Sequence, residues 1–294
     1  MKDKILLISL SNIGDAIMTT PVISYLYEQN KNAVIDIVCD KKTYEIFRFC
    51  PYVNKIFIKN KEKGFIGNLA LIKTLRQTKY KIAVDLRTDI LLFFVKSKKK
   101  FFKKNNSKIH SAQKHFSAVE SNYDFMPKTT IWIPKKIDQK IKKLIPKTSK
   151  KILSLALGAN SEHKIWPINN YLNLVNKLDN KFDLIILVGD HRDEDKANDF
   201  CKMYSGKTIN FCGKMNLIES ASLIKLSDYF IGNDSGLGHI AAAVETPSFT
   251  IFGKENPSKY HPWGTYASWY QNKDKDIYKI TPNLIFNLIN KITS

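Results

Sequence analysis

Short runs rich in Ile, Leu and Val alternate along this chain with amphipathic stretches of helix length. That alternation constrains the fold more than any other feature, because a parallel sheet covered on both faces by helices buries both patterns at once. Strands are predicted near 4–9, 33–38, 55–58 and 81–85, with helices near 20–29, 41–48 and 65–77. A second series follows, with strands near 152–157, 184–188, 208–211, 228–231 and 248–252. Its helices are predicted near 168–178, 192–203, 216–226 and 237–244. Between the two series, the prolines and lysines of "IPKKIDQKIKKLIPKTSKK" (133–151) mark a linker. The expected architecture is α/β: two doubly wound parallel-sheet domains, 1–148 and 149–294. The last stretch, "TPNLIFNLINKITS" (281–294), has the apolar spacing of an amphipathic helix, one able to pack back on the first domain.

Composition narrows the function classes. At 294 residues, 44% hydrophobic and 25% charged, the chain reads as globular. No apolar run reaches the roughly 18 residues needed to span a bilayer. "MKDKILLISL" begins like a signal peptide, but it has no small-residue cleavage site and runs on into "SNIGD". It is expected to be the first strand of a cytoplasmic protein. Cys39, Cys50, Cys201 and Cys212 form no CxxC pair, so free, mostly buried thiols are expected, with no metal site and no cofactor. The net charge of +20 is one-sided: residues 1–148 carry 30 Lys and Arg against 12 Asp and Glu, and residues 149–294 carry 17 against 15. Such an excess points the first half toward an anionic partner, and its densest run is "KSKKKFFKKNNSK" (96–108). A solvated surface strand or loop is the plainer reading of that run.

Four segments carry candidate chemistry. In "DYFIGNDSGLGHIAAAVETPSFTIFG" a strand ends at a turn holding Asp234 and Ser235, and a helix follows through Gly236, Gly238 and His239. The unsatisfied amides of a helix start suit a phosphate, and the glycines allow close approach. Asp234 and Ser235 serve equally as helix caps, and His239 as a packed core residue. In "LALGANSEHKIWPINNYLNLVNKL" a loop carries Lys164 between a strand end and a helix opened by Pro167, within reach of a phosphate. In "ILLISLSNIGDAIMTTPVISYL" Pro21 suits a first helical turn, with Thr20 as N-cap. That leaves Asp15 on a loop at the mouth of the sheet, as a general base or a turn cap. In "LVGDHRDEDKANDF" Asp193 and Glu194 begin a helix, where acids are favoured by the dipole or bind ribose hydroxyls.

Taken in order, these stretches resemble glycosyltransferase family 9, the ADP-heptose:lipopolysaccharide heptosyltransferases. "SNIGDAIMTTP" is similar to the strand and loop around that family's catalytic aspartate, and "GANSEHKIWP" to its phosphate loop. Residues 211–253 carry the most specific match; "YKIAVDLRTD" (80–89) and "HPWG" (261–264) fall in register. The resemblance implies a GT-B fold, two Rossmann-like domains facing a central cleft. It implies an inverting, metal-independent transferase that moves heptose from ADP-heptose to a lipopolysaccharide or lipooligosaccharide inner core. A family member using another nucleotide sugar or glycan acceptor, or a GT-B nucleotide-sugar epimerase or hydrolase, is the alternative. Carried over by position, Asp15 is the base; Lys164, Asp193, Glu194, Asp234, Ser235, Gly236 and His239 hold the donor; and Asn12, Gly14 and Arg87 meet the acceptor. The implied partners are a nucleotide sugar and an anionic glycolipid at the cytoplasmic face of the inner membrane, with peripheral association. No RNA- or DNA-binding motif accompanies the charge, so nucleic acid is not an expected partner. Leu157 and Gly238 depart from the family pattern, which leaves the sugar itself open.

Overall fold

The computed structural model describes residues 2–59, 64–87, 91–104, 108–178 and 181–293. Residues 88–90 and 105–107, at the ends of the 80–89 stretch and the 96–108 run, lie outside the described residues. The chain forms two compact units, Met1–Trp132 and Ile133–Ser294.

The first unit holds a wholly parallel sheet of β1 (Lys4–Ile8), β2 (Val34–Cys39), β3 (Val53–Ile58), β4 (Tyr80–Asp85) and β5 (Ser97–Phe102), in the order β3-β2-β1-β4-β5. The second holds β6 (Ile152–Ala156), β7 (Leu184–Leu187), β8 (Thr208–Asn210), β9 (Tyr229–Asn233), β10 (Ser248–Phe252) and β11 (Ala267–Gln271), in the order β11-β10-β9-β6-β7-β8. In each sheet the first strand in the chain lies centrally. The chain builds outward on one side, then crosses back to build on the other. That reversal falls between β1 and β4 in one sheet and between β6 and β9 in the other. Loops at the carboxyl ends of such strand pairs diverge and leave a crevice, the usual ligand position in open α/β sheets.

Central strands read as continuous apolar runs because both faces are covered. β6, β7 and β10 are buried along their whole length. The second core gathers around Trp166, Tyr171, Phe200 and Phe249. Trp166 is fully buried and donates its indole N–H to the Ile280 carbonyl at 2.9 Å, so replacing it with Ala would cost roughly 3–5 kcal/mol.

Two edge strands were not predicted. β5 (SKKKFF) has no apolar alternation, yet its backbone pairs with β4 from Tyr80–Ser97 to Asp85–Phe102. An edge strand tolerates exposed lysines, which also guard it against pairing with other chains. β11 pairs with β10 in the same way at the opposite extreme of the second sheet.

The predicted linker is partly structured. Helix Lys135–Lys142 packs on helix Leu217–Lys225, where Asp138 accepts from Ser222 Oγ at 2.7 Å and from Lys225 Nζ at 2.6 Å. The division therefore falls at Trp132 rather than at 148. With it the charge asymmetry shrinks: the first unit carries 24 Lys and Arg against 11 acids, the second 23 against 16. The final helix, Pro282–Thr293, packs on helix Ile168–Lys177 of its own unit, with Ile285 and Ile289 in that core. All four cysteines are free, three of them buried.

Candidate active site

At the carboxyl end of β1 the chain enters a short helix, Ile13–Ile17, where a loop was expected. Asp15 sits in its first turn, half-buried, and accepts from Asn12 Nδ2 at 3.1 Å. The turn that follows is pinned from beneath. Ser9 Oγ and Thr19 Oγ1 lie 3.1 Å apart, and the hydroxyls of Thr19 and Thr20 donate to the carbonyls of Ala16 and Ile17 at 2.7 Å. Thr19, not Thr20, occupies the N-cap of helix Thr20–Gln29, and Pro21 lies in its first turn as expected. Thr20 instead uses its hydroxyl twice, accepting also from the Thr130 amide at 2.9 Å.

Across the switch, β4 ends in the fully buried Asp85, whose Oδ1 accepts from the Arg87 amide at 2.8 Å. The Arg87 guanidinium turns toward β2 and pairs with Asp40 at 3.2 Å, both side chains largely enclosed. β5 then delivers Lys103 to the same end of the sheet. Burial, followed by the like charge of Lys114, lowers the Lys103 ammonium below its usual range, with Asp15 pulling the other way. Lys103, part of the 96–108 run but not singled out there as a site residue, is thus an electrostatic neighbour of Asp15.

In the second unit, β6 runs into Gly158 and a loop whose 3-10 turn, Glu162–Lys164, presents Lys164. Asn233, at the end of β9, clamps this loop. Its Oδ1 accepts from the Trp166 amide at 3.0 Å and the Tyr171 hydroxyl at 2.9 Å, while its Nδ2 donates to the Leu157 carbonyl at 3.0 Å. Lys164 Nζ consequently lies 2.7 Å from Asp234 Oδ2 and 3.6 Å from Glu255. Burial raises the Asp234 carboxyl above its ordinary range, although Lys164 opposes that.

Helix Gly236–Ala243 starts at this point with Ser235 as N-cap, and the Ser235 side chain makes no capping bond. Ser235 Oγ, His239 Nδ1 and Thr250 Oγ1 are all buried without a partner. Such orphaned polar atoms are uncommon in native interiors and mark a place where a ligand or water completes the pairing. Burial first, then the charges of His261 and Lys164, pushes His239 down to about 4, so its imidazole is neutral at pH 7. A Cβ on Gly238 would lie 3.0 Å from Thr250 Oγ1 and 3.1 Å from Pro262, so the glycine lets the helix start settle on β10.

Asp193 and Glu194 separate clearly. Asp190 and Asp193 form a reciprocal capping box, and the Asp193 carboxylate lies directly over Gly158 and Gly189, where β6 and β7 end. Its carboxyl is raised by burial, then by Asp190. Glu194 begins helix Glu194–Met203 and lies against Gly213, whose amide donates to the Gly189 carbonyl at 3.2 Å, so it flanks the end of β7 while Asp193 covers both strand ends.

The predicted residues therefore form two groups, each at the switch of its own sheet. Asn12, Gly14, Asp15 and Arg87 gather in the first unit, and Lys164, Asp193, Asp234, Ser235, Gly236 and His239 in the second. The sequence reading missed Asn233, Glu255 and Thr250; the Asn233–Asp234 pair at the strand end was the one available signal. Among the described residues, no group of three or more His, Cys, Asp or Glu is placed to hold a metal ion.

Residues 68–279 match the profile of glycosyltransferase family 9 (heptosyltransferase). The chain belongs to that family. Family 9 relatives include the lipooligosaccharide heptosyltransferase 2 of Campylobacter jejuni, 25% identical over 260 residues, covering 85% of this chain and 82% of the relative. The lipopolysaccharide heptosyltransferase 3 of Escherichia coli is 26% identical over 283 residues, with 85% and 82% covered. In fold, the chain is similar to the E. coli ADP-heptose lipopolysaccharide heptosyltransferase II, with a TM-score of 0.81, 18% identity and 98% of each chain covered. The family 9 chain is thus a glycosyltransferase, and its two parallel-sheet domains are of the GT-B class.

Proposed function

We propose that the protein transfers heptose from ADP-heptose to the inner core of an anionic lipopolysaccharide or lipooligosaccharide, with inversion and without a metal ion. The observation that carries this reading is the pair of unpartnered Ser235 and His239 atoms at a helix start, with Lys164 an electrostatic neighbour of His239. A diphosphate supplies acceptors for the Ser235 hydroxyl, the His239 ring N–H, the Gly236 region amides and the Lys164 ammonium together. Its charge draws Lys164 from Asp234 and Glu255. Asp193, over the ends of β6 and β7, takes the ribose hydroxyls, with Glu194 beside it.

In the transfer, an acceptor hydroxyl gives its proton to Asp15 as its oxygen bonds to the anomeric carbon. The bond from that carbon to the diphosphate oxygen breaks, and ADP leaves with the electron pair. Lys164 and the helix start stabilise the charge that develops on the leaving group. Asn12 holds the Asp15 carboxylate, while Gly14 and Arg87 line the acceptor side. The excess of basic residues in the first unit fits an anionic acceptor at the cytoplasmic face of the inner membrane, where the protein associates peripherally.

The test combines ADP-heptose, heptose-deficient lipopolysaccharide and excess chelator. The expected result is one added heptose of inverted anomeric configuration, with an equal amount of ADP. Release of ADP without glycosylated product would assign a hydrolase instead, and an altered, uncleaved donor would assign an epimerase.

A further inference from the structure

The open edge of the first sheet presents an unusual surface. Residues 91–104 contain six lysines and four phenylalanines and no acid at all. Helix Leu91–Phe94 buries Leu91 and Leu92 and turns Phe93 and Phe94 outward, 69% and 46% exposed. Phe102, at the end of β5, is 38% exposed, and its ring lies 5.4 Å from that of Phe93. Side chains alternate across a strand, so Lys98 and Lys100 share the Phe102 face. Lys100 Nζ reaches the Phe93 carbonyl at 3.2 Å, which ties the helix to the strand. Near the start of β5, Arg76, Lys79, Lys96 and Lys98 line a hollow of about 470 Å³.

Lysines alone are explained by edge protection. Exposed phenylalanine rings are not, because an edge guarded only against pairing gains nothing from apolar surface. Aromatic rings set among lysines, in a stretch that itself carries no acid and has Asp3 beside Lys98 near the start of β5, match an interface that is apolar at depth and anionic at its rim. Position adds to this: Phe102 is followed by Lys103, the electrostatic neighbour of Asp15.

We propose that β5 and helix Leu91–Phe94 form the surface by which this protein docks on an anionic lipid bilayer. Phe93, Phe94 and Phe102 enter the headgroup region, and Lys96, Lys98 and Lys100 meet the lipid phosphates. Docked this way, the carboxyl end of the sheet that carries Asp15 lies at the membrane, where a lipid-anchored acceptor presents its sugars. The assignment rests on the glycolipid reading above and names the surface that serves it.

The test is co-sedimentation of the full chain with phosphatidylcholine vesicles, with and without phosphatidylglycerol, at low and high salt. Anionic vesicles should bind it and neutral ones should not. Lys98→Ala with Lys100→Ala should weaken binding about fivefold per lysine. Phe93→Ser with Phe102→Ser should also weaken it, with circular dichroism unchanged. Lys136→Ala with Lys143→Ala, an equal charge loss on the second unit, should leave binding as it was. Equal binding by edge and control variants, equal binding to neutral vesicles, or an edge that instead mediates dimers or oligonucleotide binding would overturn the proposal. Transfer to detergent-dispersed acceptor without vesicle binding would sink the docking surface alone. Vesicle binding without transfer would sink the transferase reading alone.

Discussion

At the strand ends that carry Asp15, Asn12 pairs with Asp15, Ser9 with Thr19, Arg87 with Asp40, and Asp85 with the Arg87 amide, while His115, the buried neighbour of Lys103, leaves both ring nitrogens unpaired. At the matching switch of the second sheet, Ser235, His239 and Thr250 each leave a buried atom unpaired. Both places have the same topology, strands of the same hand and a helix following the strand. Under the proposed function the difference follows from what each would have to do. A base needs one accessible lone pair on a carboxylate held still, and a paired surround supplies that. A phosphate site needs donors that remain unsatisfied until the ligand arrives, and it tolerates their cost in the empty fold because binding repairs it.

Asp15→Asn should break the catalytic side most severely. Asn retains the size and much of the hydrogen bonding to Asn12 but cannot take a proton. Turnover should fall by about 10²–10⁴-fold, with donor affinity in calorimetry nearly unchanged. Near-normal turnover would make Asp15 a helix cap and no more.

Lys164→Ala tests the second switch. Charge-assisted bonds contribute about 1.5–3 kcal/mol, so donor affinity should drop roughly ten- to hundredfold while kcat on saturating donor falls less. Because Asp234 then loses its cation, the raised carboxyl should rise further. If ADP binds both proteins equally well, the diphosphate lies elsewhere.

A smaller effect follows from pH. His239 has its proton affinity depressed, to about 4 from 6.5. Between those values the unfolded chain binds a proton that the folded one refuses, so stability falls as pH falls through that window, by up to ~3 kcal/mol. Asp234, with its raised carboxyl, acts in the opposite sense and gains in stability as it is protonated. Urea midpoints at neutral pH and near pH 4 should therefore differ less for His239→Gln than for the parent. An unchanged acid slope would show that His239 already finds a partner in solution.

The smallest effect concerns the unit boundary. Asp138→Ala removes two bonds from the helix that joins the second unit ahead of β6, and should cost ~1 kcal/mol in thermal unfolding. No measurable loss would return residues 135–142 to the status of a linker.

Much of this was legible in the residues. Central strands declared themselves because burial on both faces demands unbroken apolar runs, as in β6 and β7. Pro21 and Pro167 placed helix starts, since the missing amide is harmless only there. Asp15, Lys164 and His239 stood out as polar residues at strand ends before helices. The edge strand β5 was not legible, because backbone pairing with β4 leaves no apolar periodicity in SKKKFF. Nor was the placement of the Asp193 carboxylate against Gly158, far away in the chain. Local pattern reports what each segment buries. Strand order, the switch points, the Asn233 clamp and the Lys164–Asp234 contact across 70 residues arise only when distant segments pack, and that packing decided which polar side chains meet at each strand end.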